Sequence, residues 1–241
     1  MNVEQQKETL PVPNVSELLK STARCDEGGT DEGASGRHGS LLPDSVRALI
    51  VGPSGCGKTN VLVSLLIAKN GLRYKGIYLY TTTASQPLYR FLAKVCEGIC
   101  DLHLFNKGES VVNPADAQAN SVFLFDDVAT EKQDAVKDHF STGRHKQNDA
   151  LYLCQTYTKI PKQLVRDNAN MLVLFRQDEH NLQFVYNEHV DPWDFEGSFD
   201  RFKSLCQRIW RGSEFAFVVI DKTRPTRGGR YREGFDKFVI V

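Results

Sequence analysis

Between residues 51 and 60 the chain reads VGPSGCGKTN, and Gly52, Gly57, Lys58 and Thr59 stand at the spacing G-x-x-x-x-G-K-[ST]. Glycines at these places let the backbone turn so that N–H groups face phosphate oxygens, while the helix that must follow adds its positive N-terminal end. The lysine supplies a point charge to the β- and γ-phosphates, and the threonine hydroxyl is a ligand for Mg²⁺. The pattern predicts a triphosphate cradled by Gly52, Pro53, Ser54, Gly55, Cys56, Gly57, Lys58, Thr59 and Asn60, with ATP and Mg²⁺ as cofactors.

A second group of chemical residues closes the apolar run SVFLFDD. A carboxylate at the C-terminal end of a parallel strand faces the rim where a phosphate loop opens. Asp126 is the expected metal ligand there, and Asp127 the group that orients and deprotonates an attacking water. The competing reading makes the pair a cap for the helix expected over ATEKQDAVKDHF, because aspartate is common at helix N-termini.

These groups need a scaffold that brings distant segments to one edge. From residue 46 on, VRALIV, GIYLYT, SVFLFDD, ALYLCQT, NMLVLF and EFAFVVI alternate with helix-patterned segments. Such an alternation predicts an α/β fold, a mostly parallel central sheet with crossover helices on both faces. Helices are expected over 57–69, 86–97, 130–141, 160–167 and 198–209. Residues 41–241 form the expected phosphate-loop domain. Residues 1–40 form an N-terminal segment whose stretch DEGGTDEGASGRHGS reads as a flexible linker, preceded by Val15, Leu18 and Leu19 at the spacing of a short helix.

Lysine plus arginine (30) balance aspartate plus glutamate (30), so bulk charge implies no nucleic-acid partner and any such contact must be a local patch. The segment DKTRPTRGGRYR offers one: Lys222, Arg224, Arg227, Arg230 and Arg232 stand against Asp221, with Gly228 and Gly229 expected to keep it pliable. Its competing reading is a solvated basic surface. Six scattered cysteines and a polar start point to reduced thiols in a cytosolic or nuclear setting. The longest apolar run, VLVSLLIA, is far shorter than the roughly 20 residues that span a bilayer, so no membrane partner is expected. Cys96, Cys100 and His103 lack the second ligand pair of a closed zinc site, which favours the cysteines as core residues near a helix end.

The blocks VGPSGCGKTN, VFLFDDV, STGRHKQNDALYLCQTYTKIPKQLVRDNANMLVLFR and IDKTRPTRGGRYREGF, in this order, resemble the genome-packaging ATPases of large double-stranded DNA viruses and of Polinton or adintovirus elements. These belong to the FtsK-HerA superfamily and include the poxvirus-type packaging ATPase. The resemblance runs over about residues 45–241 and implies a RecA-like phosphate-loop fold and a ring of identical subunits that threads double-stranded DNA, through its backbone, into a capsid.

It also implies that Gln155 reads the γ-phosphate and that Arg144 is offered to a neighbouring subunit's nucleotide, with Arg166 as the competing arginine. The wider superfamily often carries glutamate at the position of Asp127. Residues 1–40 are then either a contact to a capsid or portal protein or dispensable, and the setting is the host nucleus or cytoplasm, or the virion. Two other functions stay open: a GTPase-type switch and an inactive nucleotide-binding relic. A switch would need N-K-x-D after the acidic strand, whereas NKGE at Asn106–Glu109 ends in glutamate and precedes it.

Overall fold

The computed structural model describes residues 2–14, 36–106, 109–128, 133–142 and 147–241. Their strands form one sheet: β1 (Asn2–Gln5), β2 (Arg47–Val51), β3 (Gly76–Thr81), β4 (Asp101–Phe105), β5 (Ser121–Asp126), β6 (Asp149–Cys154), β7 (Met171–Leu174), β8 (Val218–Asp221), β9 (Tyr231–Glu233) and β10 (Lys237–Ile240). The order across the sheet is β1-β10-β9-β8-β7-β2-β6-β5-β3-β4. From β4 to β7 every neighbouring pair is parallel. All of these but the edge strand β4 are apolar runs read from the sequence, and β2, β5, β6 and β7 are buried on both faces, as strands between two helix layers must be.

Alternate residues of the strands divide between two cores. On one face Ala48, Ile50, Leu124 and Leu153 meet α1 (Lys58–Ile67) and α2 (Pro87–Cys96) through Val61, Leu62, Leu65, Tyr89 and Leu92. On the other, Leu49, Val51, Phe125 and Tyr152 meet α3 (Asp134–Thr142), α4 (Glu179–His189) and α5 (Phe199–Gly212). The segment expected as a helix over 160–167 is a single wide turn, Lys162–Arg166.

The run EFAFVVI, read as one more parallel strand, instead yields β8 antiparallel to β7. The reason is α4, a helix absent from the sequence expectation. With one helix between them, β7 and β8 would run parallel; α4 carries the chain down the sheet and α5 carries it back, so β8 starts at the rim where β7 ended. The indole N–H of Trp210 near the end of α5 donates to the Leu174 carbonyl at 3.0 Å, which fixes this return. Strands β9, β10 and β1 continue the antiparallel half.

The N-terminal segment departs from the linker expectation at both of its described ends. Asn2–Gln5 pairs with β10, and Leu10 is buried in the core that α1 shares. At the other end His38 and Arg37 each meet Asp149 Oδ2 at 3.0 Å, anchoring residues 36–40 to the start of β6. The helix considered around Val15, Leu18 and Leu19 and most of the glycine-rich stretch lie outside the described residues. Cys96 is buried and Cys100 half-buried at the end of α2, as core residues, and the His103 ring stacks on Tyr78 at 4.6 Å.

Candidate nucleotide site

The turn after β2 is built from glycines for two distinct reasons. Gly52 has no room for a side chain, since a Cβ there would lie 2.5 Å from Phe175 Cβ and 2.7 Å from the Cys56 sulfur. Gly55 (φ 77°) and Gly57 (φ 102°) are left-handed, a conformation other residues adopt at an energetic penalty. α1 begins at once with Lys58, so the loop opens on a helix N-terminus. The Lys58 ammonium donates to the carbonyls of Gly52 and Pro53, both at 2.8 Å, and is thereby held against the loop.

Across from it, Asp126 ends β5 and is almost wholly buried. Burial pushes its carboxyl above the usual range; a hydrogen bond from Tyr89 opposes this, Asp127 adds to it and the Lys58 charge lowers it. Tyr89, fully buried on α2, donates its hydroxyl to Asp126 Oδ2 and has the Thr59 side chain close enough to act on its titration. One phenol thus neighbours both residues expected to hold a metal, and is bonded to Asp126. Nothing in the sequence marks Tyr89, because its role depends on a long-range approach of α2 to β5.

Asp127 is exposed and left-handed (φ 55°), and its N–H points to the Leu153 carbonyl at 3.4 Å. A non-glycine residue in this region stores about 1–3 kcal/mol of strain, a feature that clusters at functional sites. Neither aspartate caps α3, whose first residue is Asp134. Gly52 N–H donates to the Cys154 carbonyl at 3.1 Å, so the end of β6 lies between the phosphate loop and the acidic pair, with exposed Gln155 next along the chain.

All of these groups open on one cavity of about 910 Å³, lined by Ser54, Gly55, Gly57, Lys58, Thr59, Asn60, Asp126, Asp127, Cys154 and Gln155. Five further residues escaped the sequence reading: Thr83 and Gln86 before α2, exposed Phe215 beside Gly57, and Val12 and Asn14 of the N-terminal segment. Pro13 between those two accepts a hydrogen bond from the Asn60 amide at 2.7 Å. The loop, acidic strand and β6 end thus share the C-terminal rim of the parallel strands.

Residues 36–190, more than half of the chain, match the family described as Poxvirus A32 protein. The chain belongs to that family. Among solved structures this A32-family chain is similar in fold to B204, the DNA-packaging ATPase from Sulfolobus Turreted Icosahedral Virus. That match has a TM-score of 0.52 at 13% identity over 75% of this chain and 94% of that one. It is also similar to the genome packaging NTPase B204 from Sulfolobus turreted icosahedral virus 2. The complex with AMPPCP matches at TM-score 0.51 and 10% identity, covering 76% and 95%. The complex with ATP-gammaS matches at 0.50 and 11%, covering 75% and 94%. No curated protein matches the chain in sequence.

The remaining expectations for this A32-family chain fare unequally. Arg144 lies outside the described residues. Arg166 is buried in the chain's own structure, 3.0 Å from Glu188 and over the Tyr157 ring at 4.9 Å, before β7 and so at the opposite rim from the phosphate loop. The basic segment is not a pliable arm. It folds as the turn between β8 and β9, where Arg232 is fully buried with Asp221 at 2.5 Å and donates to the Gly229 and Leu41 carbonyls at 2.6 Å. Arg224 pairs with Asp221 at 3.3 Å and Arg230 lies 3.9 Å from Asp194. Lys222 is half-buried against His189, and Gly229 is a left-handed turn residue against the Phe238 ring. Of the five cations only Arg227 is exposed. Among the described residues no helix is long and apolar enough to cross a membrane.

Proposed function

We propose that this chain is an ATP-hydrolysing motor that drives double-stranded DNA into a viral capsid. The observation that carries the reading is the convergence of Lys58, Thr59, Asp126, Asp127 and Gln155 on one cleft at one rim of the sheet, in a chain of the A32 family.

In that cleft the loop N–H groups and Lys58 hold the phosphates and stabilise charge that develops on the γ-phosphoryl group. Asp127, exposed to solvent beside them, orients a water and takes its proton as the oxygen attacks phosphorus and the bond to the ADP oxygen breaks. Gln155 can donate and accept at once, which suits a group that senses whether the γ-phosphate is present. The Thr59 hydroxyl and the Asp126 carboxylate are hard oxygen donors that both neighbour Tyr89, a set that fits Mg²⁺. When bound, the ion would neutralise phosphate charge.

Arg144 is the arginine offered to a neighbouring subunit in a ring. Its competitor Arg166 would have to abandon Glu188 to act, which supports this ranking. A subunit alone would then hydrolyse slowly, since a trans arginine raises rate by roughly 10³–10⁵ in other nucleotide hydrolases. Contacts to DNA go to phosphates and not to base edges, and a capsid or portal protein is a further partner. The work is done in the host nucleus or cytoplasm as virions assemble.

The test is ATP hydrolysis with and without long duplex DNA, run beside a measurement of assembly size. Stimulation that Lys58→Ala abolishes is the expected result; no stimulation and no assembly at any concentration refutes the motor. Mixing Arg144→Ala with Asp127→Asn protein should restore activity above either parent if the site is shared between subunits.

A further inference from the structure

Four of the five hairpin cations are taken up by the fold, yet a motor must grip its track somewhere. A second cavity, of about 510 Å³, lies at the same rim of the sheet, its lining starting at Arg176, one residue after Phe175 of the nucleotide cleft. Its walls come from the end of β7, from α4 and from α5: Arg176 and Gln177, then Lys203, Gln207, Trp210 and Arg211, with Glu179 as the acidic member. Lys203 is held by Glu179 at 2.5 Å, which leaves Arg176 and Arg211, both exposed, without an ion-pair partner among the described residues. The indole of Trp210, bonded to the Leu174 carbonyl, lines the same cavity as the two arginines and ties its α5 wall to the end of β7.

We propose that this cavity is a binding site for the phosphate backbone of duplex DNA, with Arg176 and Arg211 as its two phosphate ligands. The inference rests on the motor reading and locates that motor's grip. Guanidinium is weakly hydrated, always charged and forked to match a phosphate, so two unpaired arginines flanking a polar cavity form an anion site. Two glutamine amides beside them add neutral hydrogen-bond partners of the kind that position a backbone and ignore sequence.

Coupling to hydrolysis follows from chain connectivity. Phe175, the residue before Arg176, packs on Gly52 and lines the nucleotide cleft. A shift of the phosphate loop therefore reaches Arg176 through one peptide bond. A phosphate group could also be supplied by the nucleotide of an adjacent subunit, and the experiment separates the two sources.

Duplex affinity is measured across about 50–200 mM salt for the full-length wild type, for Arg176→Ala/Arg211→Ala, and for Arg227→Ala as the exposed hairpin control; DNA-free hydrolysis is measured on the same proteins. Losing two phosphate contacts should flatten the slope of log affinity against log salt by about 1.8, or about 0.9 per contact, with Arg227→Ala unchanged. Hydrolysis without DNA should stay at the wild-type rate while its stimulation by DNA falls. An unchanged slope in the double variant overturns this site, as does a fall in DNA-free hydrolysis, which would assign the arginines to a neighbour's nucleotide. A wild type that binds no duplex at any salt overturns the motor reading itself.

Discussion

Acid should loosen this fold through two histidines that are neutral because they are buried. His139, on α3, is 2% exposed, with its ring 3.8 Å from that of Phe123 and 5.6 Å from that of Phe125. Nε2 donates to the Val112 carbonyl at 2.9 Å, while Nδ1 is buried with no partner among the described residues. Protonating Nδ1 would bury an uncompensated charge between aromatic rings, so burial lowers the His139 pKa to about 4, only partly opposed by the Val112 hydrogen bond. His189, on α4, is lowered to about 3 by burial and by the charges of Lys222 and Arg166.

The sign follows from proton counting. Unfolded histidine titrates near 6.5, so below that pH the unfolded chain binds protons that the folded chain refuses. Stability present above pH 6.5 is lost as pH falls toward the folded values, at up to about 1.4 kcal/mol per pH unit for each group. Between pH 7 and 5 each histidine accounts for about 2 kcal/mol, together about 4, against a total of about 5–15 for a typical domain.

His139→Phe keeps an aromatic ring against Phe123 and removes the titration. At pH 7 the variant should lose about 1 kcal/mol with the Val112 hydrogen bond. Between pH 7 and 5 it should lose about 2 kcal/mol less than the wild type, because every other titrating group cancels in the comparison. Urea unfolding at both pH values measures this difference directly. Equal acid losses in wild type and variant would refute the account of a buried neutral His139.

Three further outcomes follow from contacts in the fold and site. Gly52→Ala drives a methyl group into Phe175 and Cys56, so it should destabilise the chain by about 1–3 kcal/mol and weaken binding of a non-hydrolysable ATP analogue, read by thermal shift and titration. Asp221→Ala leaves Arg232 as an unpaired buried charge and should cost about 3–5 kcal/mol in denaturant unfolding, whereas Asp221→Leu with Arg232→Met should recover most of it. Tyr89→Phe removes the hydroxyl that donates to Asp126, a bond to a charged group worth about 1.5–3 kcal/mol. It should raise the Mg²⁺ concentration for half-maximal hydrolysis about tenfold or more, and an unchanged requirement would separate Tyr89 from the metal ligands.

What was legible in the sequence is what is written in contiguous residues. The strands β2, β3, β5, β6 and β7 are short apolar runs rich in β-branched and aromatic residues because both of their faces are covered, and that burial is written in the local sequence. The phosphate loop and the acidic strand end were legible for the same reason, each being complete within a few residues. Strand β4 was missed because DLHLF is mostly exposed at an edge, and β1 because NVEQ is exposed throughout and owes its place to β10, at the far end of the chain. Tyr89, Phe215 and Val12 reach the cleft across long sequence separations and leave no local trace.

The two larger misreadings share one cause. In EHNLQFVYNEH the residues that α4 buries are few, Leu182 and Val185 among the apolar ones, so the helix has a weak periodic pattern. Missing one helix reverses the inferred direction of the next strand, and with it the placement of everything that follows. Once β8 is antiparallel, the chain after it turns back across the sheet edge, and Arg224, Arg230 and Arg232 of DKTRPTRGGRYR meet Asp221 and Asp194 instead of solvent. A count of cations cannot see this, since a buried aspartate neutralises an arginine as fully as a phosphate would. Arg176 at the end of β7 and Arg211 on α5, where α4 and α5 return the chain to the nucleotide rim, stay exposed beside one cavity and so remain available to a polyanion.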